Sequence, residues 1–69
     1  MAVMNTIELE GVSDKSWGEA AREALREAAK TIRNINRLEV LGTGTTIKDS
    51  KVVEYRTHVR LYFTVDQDR

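Results

Sequence analysis

The sequence predicts an α+β fold of strand-helix-strand-strand order, in which a three-stranded antiparallel sheet, strand order 1-3-2, wraps around one helix. Three observations predict it: a period-two segment near the N-terminus, a period-3.6 segment in the middle, and a long period-two segment near the C-terminus. The 69 residues are read as a single domain, residues 1–69. A chain this short buries only about 60% of its unfolded surface, so its core is thin and wants a staple. With no Cys and one His, self-association is the staple that remains.

From Val3 to Leu9 the apolar residues Val3, Ile7 and Leu9 alternate with Met4, Thr6, Glu8 and Glu10, which reads as a half-buried strand ended by Gly11. Ser13 or Ser16 can cap a following helix, and Ser16 and Glu19 have the spacing of a capping box. Trp17, Ala21, Ala24, Leu25, Ala28, Ile32 and Ile35 step by three and four, so the helix is expected to run on to about Ile35. Charged residues such as Glu27 and Lys30 fill its other side and support it as spaced pairs. The small alanines allow a sheet to approach closely.

Arg37 to Ile47 alternates again, with Leu38 and Val40 opposed to Arg37 and Glu39, before a loose Gly42-Thr43-Gly44-Thr45-Thr46 stretch. Lys48-Asp49-Ser50-Lys51 is a polar turn. Beyond it, Val53, Tyr55, Thr57, Val59, Leu61, Phe63 and Val65 alternate with Glu54, Arg56, His58, Arg60, Tyr62 and Thr64, the clearest strand in the chain. The order of elements makes the outer strands parallel to each other and places the long third strand between them. One sheet face packs on the helix. The other shows Arg37, Glu39, Glu54, Arg56, His58 and Arg60, and a bare face with open edges invites a second copy.

Eleven Lys and Arg balance eleven Asp and Glu, so no charge excess draws the chain to nucleic acid. No apolar run approaches the ~20 residues of a membrane span, and the N-terminus lacks a signal-peptide core, so a cytoplasmic protein is expected. Catalysis finds no constellation. His58 lies mid-strand between Arg56 and Arg60 and reads as a solvated or interface residue, not as part of a triad. Gly42 to Thr46 lacks the ending of a phosphate loop and opens no helix, so a flexible or bulged strand end is the plainer reading. Glu8, Glu10 and Asp14, and separately Asp66 and Asp68, could meet a hard cation, but without a calcium-loop spacing they read as solvated acids. Trp17 reads as an anchor of the helix on the sheet. Arg37 and Arg56, taken as neighbours on one face, either bind a carboxylate or phosphate or pair with Glu39 and Glu54, the plainer of the two.

Taken together, Gly11-Val12-Ser13, the alanine-rich helix ending Lys30 to Asn34, Leu38-Glu39-Val40, and Val52 to Phe63 with Glu54-Tyr55 and Tyr62-Phe63 resemble the dodecin family. The chain lies on the family's pattern without a gap from about Ile7 to Val65. The resemblance implies a non-enzymatic, hollow homododecamer that stores or buffers a small molecule or ion, with flavins (riboflavin, FMN or FAD) held in pairs between subunits. In that family a Trp stacks on the flavin ring at the position of Arg37, a Gln contacts its pyrimidine edge at the position of Arg56, and an Arg contacts it at the position of Gly44. Arg37, Glu39, Gly44 and Arg56 are therefore the expected pocket residues. Ser16-Trp17 and Tyr55-Arg56 look similar to the calcium dodecins, which implies calcium as the alternative cofactor, or a ligand-free structural assembly, and leaves no metal-ligand set assigned.

Overall fold

The structure is a computed structural model that describes residues 3–65. Strand β1 runs Met4–Ser13, helix α1 Trp17–Ala29, strand β2 Ile35–Lys48 and strand β3 Lys51–Thr64. The expected architecture is present: three strands in the order β1-β3-β2, both outer strands antiparallel to β3.

The helix starts where the sequence marks it. Ser16 is the N-cap and its Oγ accepts the Glu19 backbone N–H at 3.0 Å. Only that half of the capping box forms, because the Glu19 carboxylate turns to Arg22 at 3.3 Å. Lys30 pairs with Glu27 at 3.2 Å on the exposed side, as its spacing predicts.

The far end differs from expectation. The helix closes with Lys30 as its C-cap, five residues before Ile35, which instead opens β2. Asn34 stands at φ 65 and turns the chain into the strand, a conformation that Asn tolerates better than most residues. Ile32 and Ile35 still pack against the core, one from the connection and one from the strand, and so mimic a continuing helical stripe.

The buried seam of α1 is Ala20, Ala24 and Ala28, facing Thr57, Val59 and Leu61 of β3. Ile7, Leu9, Ala21, Ile32, Ile35 and Leu38 pack around the alanine, valine and leucine core. Leu25 and Trp17, expected on the seam, lie at its exposed margin, and Ala20 takes the buried place. The seam is narrow because the backbones are close. A methyl group at Gly11 would sit 1.7 Å from the carbonyl oxygen of Ala20, so Gly11 does not end β1: it lies inside the strand where the helix crosses it.

Strand β2 continues through Gly42–Thr46, which pairs with Glu54–His58 and is neither loose nor a loop. Register shifts between Ile35 and Arg37, Val40 and Gly42, and Thr46 and Ile47 mark bulges along this edge. Asp49 and Ser50 at φ 53 and 64 form a two-residue hairpin turn of the twist-matched kind. The helix lies mainly over β1 and β3, so the β2–β3 hairpin forms an arm of a molecule 56 Å long and 20 Å wide. Val40, Leu41, Ile47, Val52 and Val53 are exposed along that arm.

Candidate functional site

Period-two alternation sends the charged rows of all three strands to the sheet face opposite the helix. Glu8 and Glu10 come from β1, Glu54, Arg56, His58 and Arg60 from β3, and Arg37 and Glu39 from β2. The antiparallel register sets Glu10 opposite His58, Glu39 opposite Arg60, Gly44 opposite Arg56 and Arg37 opposite Tyr62.

Two groupings result. In the first, Arg56 is held on three sides: Nε donates to Thr46 Oγ1 at 2.8 Å, Nη1 to Glu10 Oε1 at 2.8 Å and Nη2 to Glu54 Oε1 at 3.1 Å. These contacts, the Glu10 hydrogen bond foremost, hold the guanidinium above its usual pKa against partial desolvation. Beside it lies a cleft of about 270 Å³ lined by Glu10, Gly42, Thr43, Gly44, Thr45, Arg56 and His58. A methyl group at Gly42 or Gly44 would meet nothing within 4 Å, so the missing side chains leave the β2 backbone bare as the cleft floor.

That floor is fixed from behind. The Trp17 indole Nε1 donates to the Gly44 carbonyl at 2.9 Å, and the indole meets the Tyr55 ring edge-on with centroids 5.1 Å apart. Trp17 thus ties the first turn of α1 to β2 and β3, the anchoring role expected of it, while keeping 45% of its surface exposed.

In the second grouping the Arg37 guanidinium carbon lies over the Tyr62 ring, 4.1 Å from its centroid. Tyr62 donates its hydroxyl to Glu39 at 2.7 Å, and Glu39 stands 3.6 Å from Arg60 and 3.9 Å from Arg37. Arg60 also holds Glu8 at 2.9 Å, and hydrogen bonding to Tyr62 and then Glu8 raises its pKa further above the ordinary arginine value. His58 Nε2 lies 3.4 Å from the same Glu8 carboxylate, so its neighbour across the strands is an acid and not a nucleophilic hydroxyl.

Of the expected pocket residues, Arg56 and Gly44 come together, as do Arg37 and Glu39, but the two pairs are separate within one chain. The β3 partners of Gly44 and Arg37, Arg56 and Tyr62, are six positions apart, about 20 Å at strand rise. The two arginines are not neighbours, contrary to the expectation from their shared face. Pairing with glutamates accounts for both, and Glu10 joins Glu54 on Arg56. Glu10 and Thr46 were legible as partners only through the register: the alternation of β1 puts Glu10 on the charged face, and the antiparallel order carries it to His58 and Arg56. Glu8 and Glu10 are committed to Arg60 and Arg56, and among the described residues no three His, Cys, Asp or Glu side chains gather as a metal-ligand set. Asp66 and Asp68 lie outside the described residues.

Fold and face together define a small βαββ protein whose sheet is covered on one side by its helix and carries an uncovered charged surface on the other. A model of the dodecin family matches residues 3–66, and the chain belongs to that family. An arginine-to-alanine mutant of the Thermus thermophilus dodecin is similar at 30% identity, covering 97% of this chain and all of that one, with a TM-score of 0.91. The dodecin of Streptomyces coelicolor, 24% identical, covers 97% of this chain and 96% of its own at a TM-score of 0.91. The calcium dodecin of Mycobacterium tuberculosis, described as calcium-chelating, shares the fold at 24% identity and a TM-score of 0.84, covering 99% of this chain and 97% of that one. No curated protein matches by sequence. Among the described residues no helix is long and apolar enough to cross a membrane.

Proposed function

We propose that the chain is a non-enzymatic subunit of a hollow homododecamer that stores a small ligand in the cytoplasm, with flavin as the ligand class. The observation that carries this reading is the uncovered sheet face, where a cleft beside Arg56 and an arginine over the Tyr62 ring offer polar and planar contacts. A thin core, with Ala20, Ala24, Ala28, Val59 and Leu61 its buried apolar residues among those described, and a hairpin arm with exposed Val40, Leu41, Ile47 and Val52 support self-association, the first by needing a further staple and the second by leaving apolar surface that a second copy can cover. Family membership supports the shell and the ligand class. Arg37, Glu39, Gly44 and Arg56 are the proposed pocket residues, with Gly44 and Arg56 in one wall and Arg37 and Glu39 in another supplied along the same face.

The closed state of Arg56 favours a second reading. With all three nitrogens of its guanidinium bonded to the chain's own oxygens, the face can also serve as a ligand-free or calcium-binding shell. Riboflavin titration separates the two. Quenching of riboflavin fluorescence by the wild type, strengthened in an Arg37→Trp, Arg56→Gln double variant, is the expected result; no quenching by either protein contradicts the flavin reading.

A further inference from the structure

We propose that Glu10 acts as a charge filter, so that the cleft accepts an uncharged or cationic part of a ligand and turns anions away; this rests on the reading of the cleft as a ligand site. An arginine at the edge of an open cleft ordinarily draws carboxylates and phosphates, because its parallel N–H groups match two oxygens at once. Arg56 is not in that state. The side-on grip needs the Nε–H, and Thr46 Oγ1 already takes it at 2.8 Å. Each Nη has its own carboxylate, Glu10 at 2.8 Å and Glu54 at 3.1 Å.

The local charge follows from these partners. Two carboxylates against one guanidinium leave one net negative charge around Arg56, which lines the cleft. His58, the other ionisable group on the cleft wall, stands against Glu8 of β1, and Glu8 is itself bonded to Arg60. An arriving phosphate therefore meets excess negative charge and a guanidinium with three of its five N–H groups, the Nε–H among them, already taken.

What the cleft offers is acceptors. Oε2 of Glu10 and Oε2 of Glu54 carry no hydrogen bond among the described residues, and both side chains are part-exposed. Only Glu10 lines the cleft, which makes it the residue that sets the preference. A group with N–H donors, or a cation, can rest on the Gly42 and Gly44 backbone and donate to Glu10 without dislodging Arg56.

The test uses inorganic phosphate on the whole protein at fixed ionic strength. Phosphate is titrated into the wild type, Glu10→Gln, and the Glu10→Gln, Arg56→Ala double variant, and followed by melting temperature and by emission of Trp17. Trp17 is the only tryptophan and holds the cleft floor through Gly44. The expected result is no phosphate response in the wild type, binding tighter by about tenfold or more in Glu10→Gln, and loss of that gain in the double variant. Phosphate binding equally to wild type and Glu10→Gln, or a gain that survives removal of Arg56, overturns the filter. A parallel riboflavin titration reports on the ligand reading alone: absence of riboflavin binding with the phosphate pattern intact removes the flavin assignment and leaves the filter standing.

Discussion

The hydroxyl of Thr57, only 1% exposed at the centre of β3, donates a hydrogen bond to the main-chain carbonyl of Trp17 at 2.8 Å. This bond fixes the first turn of α1 over the middle strand, and Trp17 in turn reaches Gly44 on β2. One helix turn is thereby tied to the two strands that frame the cleft.

Thr57→Val keeps the shape and deletes the donor. We expect a loss of about 1 kcal/mol, the usual worth of one such bond, read as a lower denaturant midpoint at a fixed protomer concentration. An unchanged midpoint would mean that the helix is held by alanine packing alone.

Gly11→Ala should be the most damaging small substitution in the chain. Its methyl group would lie 1.7 Å from the Ala20 oxygen and 2.7 Å from the Ala20 carbon, both backbone atoms, so the helix must move off β1. Overpacking of this kind costs about 3 kcal/mol, and thermal melting checks it. A variant that melts with the wild type would show that helix and strand are further apart than described.

Ser16→Ala removes the only side-chain cap on α1 among the described residues, a loss of about 1 kcal/mol. Ser13→Ala, which frees only the exposed Lys15 N–H, should cost less. Paired urea curves for the two variants give the ranking, and the reverse order would refute the assignment of Ser16 as cap.

A chelator should leave the melting temperature unchanged, because among the described residues no three His, Cys, Asp or Glu side chains gather as a metal-ligand set. A drop on adding chelator, restored by calcium, would instead support the metal-binding form of the second reading.

The sequence reveals the fold more completely than the site, for physical reasons. The alternation from Val53 to Val65 is long, and a one-residue slip would expose Val59 and Leu61, so β3 and its central place were readable. Ser16 and the Asp49-Ser50 turn carry their own local chemistry. The helix end was obscured because Ile32 and Ile35 feed the same core after the helix has stopped, so helical spacing outlives the helix. Arg37 and Arg56 were legible as residues of one face, and their distance follows only when the register is counted back from the Asp49-Ser50 turn, which sets Arg37 opposite Tyr62 and Gly44 opposite Arg56. Glu10 became a partner of Arg56 only through contact between residues 46 positions apart.

Native mass spectrometry of untagged protein purified without added ligand tests the proposed twelve-subunit, ligand-holding shell, because subunit number and bound mass are read together. A twelve-subunit species carrying additional mass is the expected result. A monomer or dimer would contradict the shell, and an empty twelve-subunit species that takes up no riboflavin would contradict storage.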